Sequence, residues 1–169
     1  NWLKNFPFKK VTDHKYSRGQ LIIVGGQKEM LGATILSAES ALRTGVGSVK
    51  IICNKATLPI YSIKFPSLLK KEINKFEEFK KFVLKNKEST FLIGPGAGSN
   101  KTTKQKVVFL LKNIKNVILD ADALTSFKKD LNKFYKLLDK DKIITPHLGE
   151  FHKIFPNIKK NLNNIDKAL

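Results

Sequence analysis

The chain has 169 residues, enough for one domain with its own core and too few for two of ordinary size. With 41% hydrophobic and 27% charged residues it is not a disordered chain, its single Cys53 rules out an internal disulfide and points to a reducing, cytoplasmic setting, and no apolar run nears the ~20 residues that span a bilayer. The net charge is +18, and of the 32 cations only Arg18 and Arg43 are arginines.

Residues 1–20 read as a basic lead-in containing Pro7. Residues 21–24 (LIIV) are a short apolar run closed by Gly25 and Gly26, which predicts a buried strand. The stretch 32–44 then places Ile35, Ala38, Ala41 and Leu42 on one helical face, and Gly45 and Gly47 stop it. Residues 48–53 (SVKIIC) predict a second strand. Residues 54–75 carry Pro59 and Pro66 and give no clear element. The spacing of Phe76, Phe79, Phe82 and Val83 predicts an amphipathic helix over 76–85. A third strand follows at 90–93 and runs into Gly94-Pro95-Gly96-Ala97-Gly98, then a helix over 102–111. Residues 116–119 (NVIL) are a fourth strand ending at Asp120-Ala121-Asp122, and a helix is expected over 131–138. Residues 142–145 (KIIT) are a fifth strand, followed by Pro146-His147-Leu148-Gly149-Glu150 and a last helix.

Apolar strands alternating with amphipathic helices imply an α/β fold, with a mostly parallel sheet covered on both faces. In such a sheet the strand ends share one edge, where ligands bind. Gly25-Gly26, the 94–98 loop, Asp120, Asp122 and His147 should therefore meet there. The 94–98 loop can bring backbone N–H groups to an anion, and it reads equally as a tight turn needing positive φ. It matches neither a Walker A loop nor the dinucleotide fingerprint of a first βα unit. Asp120 suits a ligand or metal contact, whereas Asp122 before Ala123-Leu124 suits a helix cap. His147 can hydrogen-bond a substrate or move a proton, or else start a helix with Glu150 balancing the dipole. Cys53 reads as a small buried hydrophobe.

The lysines fall on several presumed solvated helix faces rather than in one stripe, and arginine is scarce. Nucleic-acid binding is therefore not expected, although the field would draw in a small anion. Asn and Ile are also abundant, as a biased codon usage would give.

The segment 14–26 (HKYSRGQLIIVGG), with Met30-Leu31-Gly32-Ala33 and 40–47 (SALRTGVG), resembles the opening of the NAD(P)H-hydrate dehydratases. Residues 93–98 (IGPGAG), 119–124 (LDADAL) and 145–150 (TPHLGE) resemble that family's later motifs in order and spacing. The resemblance implies a three-layer α/β/α ribokinase-like fold. It also implies a cytoplasmic enzyme that dehydrates hydrated NADH and NADPH using ADP or ATP with Mg²⁺. By position, Ala33, Gly96, Gly98 and His147 would contact the hydrated dinucleotide, with Asp120 nearby and Gly25, Gly26 and Gly94 as cofactor contacts. The metal ligands are left unassigned.

The family continues with a lysine-glycine motif and a Gly-x-Gly-Asp loop carrying the catalytic Asp. Neither occurs in these residues. The expectation is therefore a partial domain over 21–156 and a polar tail over 157–169, without a catalytic residue of its own. A longer parent, with an epimerase domain upstream, is expected. Truncation of a parallel sheet also predicts a homo-oligomer. The alternatives are another ribokinase-like small-molecule kinase, or a basic fragment that binds nucleic acid or a partner without catalysis.

Overall fold

The structure is a computed structural model that describes Lys4, Phe8, residues 10–158, Asn163 and Asp166. Pro7 and most of the polar tail lie outside the described residues. In chain order the elements are β1 (Gln20–Val24), α1 (Leu31–Arg43), β2 (Ser48–Cys53), α2 (Leu58–Lys64), β3 (Leu69–Glu72), α3 (Phe76–Lys85) and β4 (Thr90–Ile93). They continue with α4 (Lys101–Asn113), β5 (Val117–Leu119), α5 (Asp122–Thr125), α6 (Leu131–Tyr135), β6 (Lys142–Ile144) and α7 (Leu148–Ile154).

The strands form one sheet in the order β3-β2-β1-β4-β5-β6, and every pairing is parallel. β1 is central because Leu21, Ile22, Ile23 and Val24, four of its five residues, can be buried on both faces at once. Even-numbered Ile22 and Val24 join one apolar cluster with Phe79, Val107, Leu110, Leu124 and Phe134, so α3 through α7 cover that face. Leu21 and Ile23 join the other with Ala38 and Tyr61, so α1 and α2 cover the opposite face.

The sheet has six strands where the residue pattern suggested five. The additional one is β3, with α2 before it, both inside the stretch that gave no clear reading. β3 is an edge strand of sequence LKKE, with Leu69 51% exposed. An outer strand needs no apolar run, and lysines there discourage further pairing. The two prolines bound α2 rather than break it. Pro59 sits in its first turn, where no N–H is needed, and Pro66 follows its end. α6 ends at Tyr135, three residues short of the expected helix, because residues 136–137 leave the helix in a turn.

From β1 the chain moves outward through β2 and β3, then returns to β4 and moves outward the other way. The direction of winding reverses between β1 and β4. That is the position where the carboxyl ends of neighbouring strands part and leave a crevice.

Candidate functional site at the carboxyl edge of the sheet

The loops after β1 and β4 are fastened to each other across this reversal. Gly26 N–H donates to the Pro95 carbonyl at 3.1 Å, and Gln27 N–H donates to the Gly96 carbonyl at 2.7 Å. The buried Thr34 hydroxyl, in the first turn of α1, also donates to Pro95 O at 3.1 Å. The Ala97 carbonyl accepts from Gln27 Nε2 at 2.9 Å and from the Thr103 hydroxyl at 3.0 Å. Asp122 Oδ2 accepts from Gly98 N–H at 2.8 Å. The loop is thus held from β1, α1, α4 and α5 together. Among the described residues the N–H groups of Gly96 and Ser99 take no protein acceptor; Gly96 is buried, and Ser99 is exposed beside the start of α4.

The reason for glycine in this loop is internal to the protein. Gly94 has φ +130°, and a Cβ there would overlap the Asp120 carbonyl oxygen. Gly96 has φ +64°, and a Cβ would overlap the Met30 carbonyl oxygen. Both therefore allow one backbone to lie on another.

A cleft of about 420 Å³ opens beside these loops. Gly25, Gly26 and Gln27 line it from the end of β1, Cys53 and Asn54 from the end of β2, and Ala97 from the glycine loop. The first turns of α4 supply Lys101, Thr102, Thr103 and Lys106. The α4 N-terminus is capped by Asn100, whose side chain accepts from Thr103 N–H at 2.9 Å. The helix start, two lysines and the loop amides give this wall a positive potential suited to phosphate groups. Burial pushes the Lys106 ammonium below the ordinary lysine range, and its Nζ lies 5.5 Å from the Phe79 ring centroid. Burial, with Glu72 second, pushes the Cys53 thiol up to about 11, so it is a protonated wall residue and not a nucleophile. Tyr61 is fully buried beneath Gly26, and its hydroxyl makes no full hydrogen bond. The Thr34 hydroxyl lies beside it, with its own proton turned to Pro95.

Of the expected site residues Gly25 and Gly26 line this cleft, and Ala33, Gly94, Gly96, Gly98, Asp120 and His147 do not. Ala33 is exposed on the first turn of α1. Asp120 continues the sheet edge: its N–H donates to Ile93 O at 3.1 Å, and its Oδ1 accepts from the Thr145 hydroxyl at 2.9 Å. Thr145 N–H in turn donates to Leu119 O at 3.1 Å. Each strand end is thus stitched to the next, and Gly25, Gly94, Asp120 and Thr145 stand side by side in sheet order, one residue beyond the paired Val24, Ile93, Leu119 and Ile144. His147 is the N-cap of α7. Its Nδ1 accepts from Gly149 N–H at 3.0 Å, and its own N–H donates to Glu150 Oε2 at 3.1 Å. With Nδ1 accepting, a neutral ring carries its proton on Nε2, 3.3 Å from Glu150 Oε1 and open to solvent.

Asp122 is not the cap of the helix after β5. Ala121 takes that position with φ +46°, and Asp122 is the first helical residue. The backbone turns sharply at Ala121, which aims the Asp122 carboxylate at the glycine loop rather than at its own helix. Among the described residues no three His, Cys, Asp or Glu side chains gather as a metal site. Asp120 and Asp122 each give one oxygen to a protein donor and keep the other open.

Gln27, Asn54 and Lys106 line the cleft, and the sequence reading did not single them out. Asn54 was within reach of the rule used for the other residues, since it is the first residue after a strand. Lys106 gave no signal, being one lysine among many.

A family model described as NAD(P)H-hydrate dehydratase matches residues 21–169. A bifunctional NAD(P)H-hydrate repair enzyme of Dictyoglomus turgidum is 34% identical over 164 residues, covering 91% of this chain and 31% of that protein. The ADP-dependent (S)-NAD(P)H-hydrate dehydratase of Staphylococcus aureus is 29% identical over 154 residues, covering 89% and 54%. A ribokinase-like superfamily protein of Enterococcus faecalis superposes with a TM-score of 0.77 at 19% identity, covering 95% of this chain and 56% of that one. The Bacillus subtilis ADP/ATP-dependent NAD(P)H-hydrate dehydratase, co-crystallised with ATP/Mg²⁺, gives a TM-score of 0.68 at 26% identity, covering 89% and 52%. The fold is ribokinase-like, and the chain spans about half the length of the single-function relatives it matches.

Proposed function

Because the chain belongs to the NAD(P)H-hydrate dehydratase family, we propose that it forms the dinucleotide-holding part of an enzyme that returns hydrated NADH or NADPH to the reduced coenzyme with ADP or ATP as co-substrate. The observation that carries this reading is the fastening of the β1 and β4 loops to each other at the winding reversal, beside a cleft with a basic wall. A dinucleotide bears two phosphates, and the Ser99 N–H, the start of α4, Lys101 and Lys106 offer them donors and charge. Gly25, Gly26, Gly94, Gly96 and Gly98 are backbone neighbours of that ligand in this reading. Asp120 and Ala33 lie along the same edge toward its nicotinamide end. His147 can donate only through Nε2, so a ligand oxygen there competes with Glu150.

The reaction implied by the family resemblance is phosphorylation of the hydroxyl on the hydrated ring, followed by loss of phosphate to restore the double bond. Residues 1–169 contain no Gly-x-Gly-Asp loop to supply the base, so these residues bind and orient without turning over. Mg²⁺ in this reading would accompany the nucleotide and offset phosphate charge, and the open oxygens of Asp120 and Asp122 are the carboxylate groups at this edge that could meet it. The setting is cytoplasmic, and in a longer parent an upstream epimerase domain fits the bifunctional relatives.

Calorimetric titration of the chain with hydrated NADH at low salt tests the reading. Saturable binding is expected, without product formation when ADP or ATP is added. His147→Ala should weaken binding by about 5- to 150-fold through an unpaired ligand group. Gly96→Val should abolish it, and Lys128→Ala with Lys129→Ala should leave it nearly unchanged. Binding lost mainly through the lysine changes would mean diffuse charge holds the ligand, and the edge site would be wrong.

A further inference from the structure

The charge of the cleft beside the glycine loop is of one sign. Lys101 and Lys106 line it, and among the described residues no Asp or Glu does. Glu72, at the end of β3 beside Cys53, stays outside and accepts from Asn74 Nδ2. The two lysines differ. Lys101 is exposed at the start of α4, whereas Lys106 is half-buried and, among the described residues, meets no anion. Loss of water is the cause of its lowered pKa, with no opposite charge to offset it. Its neighbour Lys104, by contrast, pairs with Asp130 at 3.0 Å. Asn54 lines the same space from the end of β2. Its Oδ1 accepts from the Thr57 N–H at 3.0 Å and the Thr57 hydroxyl at 3.2 Å, and its Nδ2 takes no protein acceptor among the described residues. The floor between Asn54 and Lys106 is apolar, built from Val24, Ile52, Ile73 and Ile93.

In parallel sheets that hold dinucleotides, an acidic side chain at a strand end accepts from the ribose 2′-hydroxyl, and a 2′-phosphate calls for a cation there instead. This cleft has the second arrangement: an ammonium without a counter-ion, an open amide donor and no carboxylate. We propose that it reads a 2′-phosphate, with Lys106 supplying the charge and Asn54 Nδ2 a directed hydrogen bond, so that hydrated NADPH is held in preference to hydrated NADH. This rests on the dinucleotide reading above and adds to it which coenzyme is selected. Lys101 and Lys106 are separated along α4 by about 7–8 Å of helix rise. Lys106 Nζ also lies 5.5 Å from the Phe79 ring centroid, on the α3 side of the cleft. The cleft thus has two cationic points. The pyrophosphate takes the helix start with Lys101, and the monoester one ribose away takes Lys106. A phosphate monoester carries about −1.5 to −2 charges near neutral pH, which gives Lys106 the anion that its burial lacks.

The test is calorimetric titration at about 0.15 M ionic strength, where diffuse charge is screened beyond about 8 Å. Hydrated NADPH should bind about 10- to 150-fold more tightly than hydrated NADH. Lys106→Gln should remove most of that ratio by weakening hydrated NADPH alone, whereas Lys101→Gln should weaken both ligands and keep the ratio. Asn54→Asp keeps the oxygen that accepts from Thr57 and adds a carboxylate. It should weaken hydrated NADPH at least about tenfold and spare hydrated NADH. Adenosine 2′,5′-bisphosphate and adenosine 3′,5′-bisphosphate carry equal charge and serve as the second pair of probes. The 2′,5′ isomer should bind more tightly, and Lys106→Gln should erase the difference. Circular dichroism establishes that each variant is folded. The proposal is overturned if the two bisphosphates bind alike or not at all, since charge without position would then account for any affinity. It is also overturned if Lys106→Gln weakens both hydrated coenzymes equally, since the pyrophosphate would then occupy Lys106. If neither hydrated coenzyme binds, the repair reading falls by itself, and the bisphosphate pair still decides the role of Lys106.

Discussion

Gly94 and Gly32 are both glycines of the candidate edge, and the structure assigns them opposite worth. Gly94 combines φ +130° with the Asp120 carbonyl in the space a Cβ would fill. Gly94→Ala should cost about 2–4 kcal/mol, since backbone strain alone is worth about 1–3. Gly32 is the second residue of α1, and a Cβ there meets nothing. Gly32→Ala should be neutral or stabilise by up to about 1 kcal/mol. Urea unfolding of both variants checks this, and equal effects would contradict the packing described. Cys53 gives a pH prediction. Its folded pKa is raised from the ordinary 9.0 to about 11, so the folded state holds the proton more tightly than the unfolded chain. The stability it contributes is whole below pH ~9 and is lost as pH climbs toward ~11. Urea midpoints measured through that window should fall with pH, and Cys53→Ala should flatten part of the fall. A steeper fall in the alanine variant would refute the assignment.

At the scale of elements, the glycine loop is fixed by partners from four other segments, and among the described residues Asp122 is the only charged one. Asp122→Ala leaves the Gly98 N–H without its carboxylate and should destabilise the chain by about 1–3 kcal/mol. Asp122→Asn keeps an oxygen and should cost about half as much. Hydrogen exchange provides the check: the Gly98 amide should exchange faster in the alanine variant, while amides in the middle of β1 should not. Exchange that accelerated equally in β1 would mean that Asp122 holds the whole fold and not the loop.

At the scale of the whole molecule, the charge is the dominant feature. Lys80–Glu77 and Lys104–Asp130 are near-surface pairs worth little, and Lys142–Asp139 joins a buried lysine stem to an exposed carboxylate, against a net charge of +18. Self-repulsion should outweigh them, so added salt should stabilise the chain. Raising NaCl from about 20 to about 300 mM should raise Tm by roughly 2–5 °C, given about 2–4 °C per kcal/mol at this size. A fall in Tm would mean that the ion pairs matter more than the repulsion. Dinucleotide affinity should move the other way, weakening as the same salt screens the basic wall.

The residue pattern determined the parallel α/β sheet, because a strand such as 21–24 is apolar on both faces and can only be covered by helices on each side. It also determined which segments reach the carboxyl edge, since the first residues after each strand share that edge whatever the loops do. β3 escaped it, because an outer strand of sequence LKKE is defined by its partner β2 and not by its own hydrophobicity. The roles of Asp122 and the loop glycines were decided by tertiary structure alone. The turn at Ala121 aims a carboxylate at a loop 24 residues away, and the glycines answer to the Met30 and Asp120 carbonyls. Local spacing carries no information about such distant backbone.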